Sequence, residues 1–211
     1  TILLSNGSLD SYGKTNDIIN KYTSRLNEKV QSFEGERVWD QDNLPGNDNI
    51  CLLAIRSKKS NNKVSSEFAV TEEVIIEIDF EIKKPDLQIA VSMEFIDIAD
   101  NLIFCLQDDY IRGSWGGQDP KDTGIYKTTF KIPKNFLNQG IISLGLNIYL
   151  PPGPANTAAQ IKERNFFWFN VLESDEISGS RGSYPYHMGI TGEKGSPFLR
   201  PLIIGRTFKI K

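Results

Sequence analysis

The residues with chemical capability are few, and their spacing limits what they can do. His187, the single histidine of the chain, sits in the run Tyr184-Pro185-Tyr186-His187-Met188. One histidine cannot build a multi-histidine metal site, although a Ser-His-Asp triad needs only one. No G-x-S-x-G elbow and no Cys-His pairing accompanies it, so His187 reads as a structural or ligand-contacting loop residue and not as a general base. No G-x-x-x-x-G-K-[ST] phosphate loop occurs, and Gly113-Ser114-Trp115-Gly116-Gly117 neither precedes a helical pattern nor carries a lysine. The chain is therefore expected to bind no ATP by itself and to need no cofactor. The acids Asp97, Asp100, Asp108 and Asp109 invite calcium coordination or a carboxylate pair for glycoside hydrolysis. Neither chemistry has its loop spacing here, and solvated turns and strand-end caps account for such residues better.

The aromatic residues are more informative. In Phe166-Phe167-Trp168-Phe169, a strand would put Phe167 and Phe169 on one face and Phe166 and Trp168 on the other, so both faces carry rings. Parity extends this to three strands. Val91/Met93/Phe95, Leu144/Leu146/Ile148 and Phe167/Phe169/Val171 are the core candidates, which leaves Ser92 and Glu94, Asn147 and Tyr149, and Trp168 and Asn170 on the outward side. A mixture of rings, amides, a hydroxyl and a carboxylate is unfavourable to bury dry. It suits a sugar, whose C–H faces stack on rings while its hydroxyls take the polar groups, directly or through water. The rival reading is that a second layer, a loop or a dimer partner covers those rings.

Short strands must position these groups. Val74, Ile76, Ile78, Phe80 and Ile82 fall on one face of a strand, with Ile75, Glu77, Asp79 and Glu81 on the other, the period-two pattern of a half-buried strand. The alternation recurs in Leu87/Ile89/Val91/Met93/Phe95, in Tyr126/Thr128/Phe130/Ile132 and in Ile142/Leu144/Leu146/Ile148. Further strands are expected at 50–57, 102–107 and 166–172. Such strands, separated by Pro, Gly and Asn clusters and with no helix long enough for βαβ units, predict an all-β sandwich of immunoglobulin-like or jelly-roll type. Ahead of it, Ile2-Leu3-Leu4 reads as a strand and Asn6-Gly7 as a tight hairpin turn. Ile18, Ile19, Tyr22 and Leu26 form the apolar stripe of a helix from Thr15 to about Leu26, with Thr15 or Asn16 as its cap. This divides the chain into a hairpin and helix over 1–28, a linker over 29–36 and the sandwich over 37–211.

Composition narrows the partners. With 24 basic and 27 acidic residues and a net charge of -3, there is no broad positive field for nucleic acid or an anionic membrane. No run of about 18 apolar residues predicts a membrane span. The start, TILLSNGSLD, lacks a signal peptide's basic region and also lacks an initiator Met, which suggests a piece of a longer protein. Cys51 and Cys105 lie in apolar strand-like runs and read as free buried thiols suited to a reducing cytoplasm.

Three sets of residues, in order along nearly the whole chain, resemble the ATPase subunit of bacterial O-antigen ABC exporters of the Wzt type. Asn6-Gly7-Ser8-Leu9, Tyr12-Gly13-Lys14-Thr15 and Ile18-Ile19-Asn20-Lys21-Tyr22 are similar to the element that ends the nucleotide-binding domain. Arg37-Val38-Trp39-Asp40 with Pro45-Gly46-Asn47-Asp48 resembles the opening of the C-terminal sandwich. Arg181-Gly182, Gly195 and Arg200-Pro201-Leu202 resemble its closing segment. Phe208 departs from the pattern, which has a Trp after the final strand. The resemblance makes 1–28 the tail of a nucleotide-binding domain and 37–211 a non-catalytic carbohydrate-binding domain. It implies recognition of lipid-linked O-antigen polysaccharide at the cytoplasmic face of the bacterial inner membrane, a permease subunit as partner, and a homodimer that exchanges terminal strands. The apolar run Leu199 to Ile204, followed by alternation at Phe208 and Ile210, independently suggests a terminal strand whose edge another chain would cover. A purely structural dimerisation domain is the main alternative, and a glycoside-processing enzyme using the acid cluster is the weaker one.

Overall fold

The computed structural model describes residues 1–5, 7–32, 34–108, 120–150, 159–172 and 205–211. The His187 loop, the run Gly113 to Gly117, Asp109, the closing motif from Arg181 to Leu202 and the apolar run Leu199 to Ile204 lie outside the described residues.

Two strands, β1 (Ile2–Ser5) and β2 (Ser8–Tyr12), pair antiparallel with Ser5 opposite Ser8, so a two-residue turn joins them. Gly7 adopts φ 78° there, a left-handed conformation that glycine enters without a Cβ clash. Helix α1 (Thr15–Ser32) follows. It runs past Leu26 and takes up half of the stretch expected to be a linker, since 27–32 holds no Gly or Pro to stop a helix. Asp10 on β2 pins the hairpin to α1 through Arg25 at 2.8 Å and Lys21 at 3.1 Å. The hydrogen bond from Arg25, with Lys21 behind it, holds the Asp10 carboxyl down at about 2.

Ten strands build the sandwich, and their labels follow the chain: β3 (Glu36–Val38), β4 (Ile50–Lys58), β5 (Glu67–Ala69), β6 (Val74–Ile82), β7 (Ala90–Ile96), β8 (Leu102–Gln107), β9 (Gly124–Ile132), β10 (Gly140–Tyr149), β11 (Ala159–Leu172) and β12 (Gly205–Lys209). They form two five-stranded sheets with orders β5-β11-β10-β7-β8 and β12-β9-β6-β4-β3. All pairings are antiparallel except β5 with β11. The expected all-β sandwich is therefore present. Strands β3 and β5, three residues each, are too short to show alternation. The strand expected from Leu87 begins at Ala90, while Leu87 makes an isolated bridge to Lys121.

The core lies between the sheets. Ile76, Ile78, Phe80, Phe130 and Ile132 from one sheet meet Val91, Met93, Phe95, Leu144, Leu146, Ile148, Phe167 and Phe169 from the other, all at 1% exposure or less. At about 1.5–3 kcal/mol for each large apolar side chain fully buried, this alternation fixes which face of every strand points inward. Phe166 departs from the expected parity. It is buried in the core and stacks on Trp39 at 6.2 Å, because it falls inside the β11 bulge between Glu163 and Phe167, where alternation breaks. The Arg37 guanidinium lies 4.7 Å from the Trp39 ring and donates to the Phe166 carbonyl at 2.8 Å. The nearby Pro45-Gly46 turn carries Gly46 at φ 137°, where a Cβ would stand 2.2 Å from the Ile50 carbonyl oxygen.

Both cysteines are free, and Cys51 is buried as expected. Cys105 is exposed, on the outward side of β8, with its thiol turned to Ser92 Oγ at 3.0 Å. Its apolar neighbours in sequence belong to the other face of the strand.

Candidate functional site

The outward face of sheet β5-β11-β10-β7-β8 carries all the residues singled out by parity. Adjacent strands bring four of them together: Asn147 pairs with Ser92, and Gly145 beside it pairs with Glu94. Asn147 Nδ2 donates to Glu94 Oε1 at 3.2 Å. Gly145 leaves the space that Glu94 occupies, because a Cβ there would stand 2.9 Å from Glu94 Oε2. Tyr149 completes the group at the end of β10, where its hydroxyl accepts from Gln107 Nε2. Burial first, and the negative charge of Asp108 second, push the Tyr149 phenol up, so it stays protonated.

Trp168 and Asn170 are not part of that group. They pair with Ser143 and Ile141, four and six positions from Asn147 along β10, or roughly 13 and 20 Å at ~3.3 Å per residue. Parity assigns a face but not a position along it, which is why one cluster was expected and two result. Trp168 lies instead beneath helix α1, in a cleft of about 190 Å³ lined by Tyr22, Asp97, Ile98, Asp100, Ile141, Ser143, Asn165 and Trp168. Tyr22 of α1 donates its hydroxyl to the Ile98 carbonyl at 3.0 Å across this cleft. The outer face is therefore roofed by a helix at its Trp168 end, while Glu94, Asn147 and Tyr149 are partly exposed on it.

The β11 bulge separates the two ends. Asn165 takes φ 52° there and accepts the Ser143 hydroxyl at 2.6 Å. Arg164 swings over the face, 3.6 Å from Glu94 and 3.1 Å from Asp100. Gln107, Arg164, Asn165 and Tyr22 were missed in the sequence. The polar run Lys162-Glu163-Arg164-Asn165, which interrupts the alternation of β11, was the signal for the bulge, and Asn is among the residues that best tolerate positive φ.

Of the described acids, Asp97 and Asp100 share one turn and Asp108 lies apart from them. Asp97 folds its turn by accepting from the backbone N–H groups of Ala99 and Asn101, each at 2.8 Å. Asp100 accepts from Asn165 at 3.1 Å and from Arg164, and these two bonds hold its carboxyl below the usual range. Asp108, 1% exposed at the other end of β8, accepts the Val91 N–H at 2.6 Å and the Thr207 hydroxyl, which ties β12 to the opposite sheet. No group of His, Cys, Asp or Glu able to hold a metal is found among the described residues. No helix among them is long and apolar enough to cross a membrane.

These elements define a β-sandwich domain with a polar, partly exposed face on one sheet. A solved structure described as the C-terminal domain of wzt is similar to it, with a TM-score of 0.52 and 11% identity over 69% of this chain and 85% of that one. At that identity the likeness establishes the fold. No family model and no curated protein sequence matches the chain.

Proposed function

We propose that the chain is a non-catalytic carbohydrate-binding domain that recognises the O-antigen polysaccharide carried to an ABC exporter. The observation that carries this reading is the outward face itself. Glu94, Asn147 and Tyr149 lie partly exposed on it, Gln107 holds the Tyr149 hydroxyl, and a dry core fills the other side of the same strands. Shallow faces of this kind hold sugars through several hydrogen bonds of ~0.5–1.5 kcal/mol each, and such bonds add up to modest affinity along a polymer. The fold likeness and the ordered sequence motifs support the exporter context. On this reading the parent protein hydrolyses ATP in a separate domain, partners a permease subunit and works at the cytoplasmic face of the inner membrane.

A homodimer belongs to the same proposal. Strand β12 pairs with β9 from Gly205 opposite Phe130 to Lys209 opposite Tyr126, and a partner's β12 could make the same ladder in an exchanged dimer. Calorimetric titration of the chain with the O-polysaccharide of the strain that encodes it tests the function. Saturable binding without turnover is expected. A purely structural dimerisation domain would give no saturable heat, and release of shortened glycan would favour the glycoside-processing reading.

A further inference from the structure

We propose that the cleft between helix α1 and the Trp168 end of the sheet is a separate subsite for one sugar residue, selective for neutral or amino sugars over acidic ones. The inference rests on the carbohydrate reading above and adds a location, a size and a charge preference.

Size comes first. The cleft's 190 Å³ lies below the roughly 300–1,000 Å³ of sites that enclose drug-sized ligands. That scale suits a single sugar ring.

The lining gives the ligand class. Trp168, Ile98 and Ile141 supply apolar surface, while Ser143, Asn165 and Tyr22 supply hydroxyl and amide groups. A ring with one apolar face and a rim of hydroxyls matches that combination. Because Tyr22 comes from α1 and the rest from the sheet and the β7–β8 turn, the cleft exists only where helix and sandwich meet.

Charge sets the selectivity. Asp97 and Asp100 both line the cleft, and among the described residues lining it none is a cation. The bonds that the Asp100 carboxylate receives from Arg164 and Asn165 end on Oδ1, Oδ2 takes part in none of them, and Arg164 also donates to the Asp100 carbonyl at 3.2 Å. Arg164 is shared between Asp100 and Glu94, so one positive charge faces two carboxylates there and Asp97 adds a third. Hydrogen bonding holds both Asp97 and Asp100 below the ordinary carboxylate range, in Asp97 against the opposing effect of burial. Both are therefore charged at neutral pH. A sugar carboxylate would meet like charge at short range, whereas sugar hydroxyls or an ammonium group would donate to these oxygens.

The test is a two-dimensional nitrogen–proton NMR titration of the full chain with galactose, N-acetylglucosamine, glucosamine and glucuronate at millimolar concentration. The first three should shift the Trp168 indole N–H and the backbone signals of Ile141, Ser143 and Asn165, and glucuronate should not. Trp168→Ala should remove the response at the remaining signals. Asp100→Asn, which keeps the shape, should shrink the preference for glucosamine over glucuronate. Shifts confined to Ser92 and Asn147, or no shift with any of the four sugars, would overturn the subsite and leave the polysaccharide titration to decide the broader function. An equal response to glucuronate would overturn the charge selection.

Discussion

Gly145 lies directly under the Glu94 side chain: a Cβ at that position would stand 2.9 Å from Glu94 Oε2 and 3.3 Å from Glu94 Cβ. Glycine in a strand interior weakens the strand and often marks close approach of another group, and here the group is the carboxylate that also accepts from Asn147. Gly145→Ala should fold, because the nearest obstructing atom, Glu94 Oε2, is the end of a side chain that can swing away, and the others stand at 3.3 Å or more. The displaced carboxylate should lower polysaccharide affinity about tenfold, which corresponds to about 1.4 kcal/mol. Wild-type affinity by calorimetry would remove Glu94 from the site.

Trp39 holds the entrance to the sandwich together and does not face the candidate site. Its ring stacks on the Phe166 ring and lies 4.7 Å from the Arg37 guanidinium. Trp39→Ala should cost about 2–4 kcal/mol, somewhat less than a fully buried aromatic, with a Tm lowered by several degrees and glycan affinity retained in the folded fraction. An unchanged Tm together with lost binding would reverse this assignment.

Acid should weaken the opposite sheet. On its outer face Glu77 lies 2.7 Å from Lys58 and 2.9 Å from Lys127, while Asp79 lies 2.5 Å from Arg56. Burial alone would raise the Glu77 carboxyl, but the hydrogen bonds from Lys58 and Lys127 outweigh it and hold the group below its ordinary value. A carboxylate with a lowered folded pKa contributes stability above its unfolded value of about 4.3 and loses it as pH falls through the folded value. Chemical denaturation of Glu77→Gln should therefore show a shallower loss of stability than wild type below about pH 4.3. Parallel curves would contradict the ion-pair account.

Light scattering at micromolar concentration should report a dimer, and a monomer would count against strand exchange. Asp108→Ala removes the acceptor for Val91 N–H and for the Thr207 hydroxyl on β12. Leaving those donors unmet should cost about 1–3 kcal/mol. In an exchanged dimer that loss appears as easier dissociation, read from the concentration dependence of the mass.

Much of the sandwich was legible because its strands obey a single rule. Val74 to Ile82 and Gly140 to Tyr149 alternate without interruption over a core that admits no polar side chain on one parity, so face and strand follow together. The site was legible only as far as that rule reaches. Parity put Ser92, Glu94, Asn147, Tyr149, Trp168 and Asn170 on one face. It could not tell that Trp168 sits roughly 13 Å along β10 from Asn147, because register depends on pairing between strands far apart in sequence. Phe166 was misassigned for a related reason, since it falls inside the bulge between Glu163 and Phe167, where alternation breaks, while Phe167 to Val171 keep the expected parity. The roofing of Trp168 by α1 is a tertiary contact between Tyr22 and Ile98, 76 residues apart, and no local pattern encodes it.

The central claim is that the outward face of sheet β5-β11-β10-β7-β8 binds polysaccharide, and NMR mapping of the chain with its own O-polysaccharide tests it most directly. The account predicts saturable shifts concentrated at Ser92, Glu94, Gln107, Gly145 and Asn147, with the opposite outer face around Glu77, Asp79 and Lys127 silent. Shifts centred on Glu77, Asp79 and Lys127, or none at saturating polysaccharide, would contradict it.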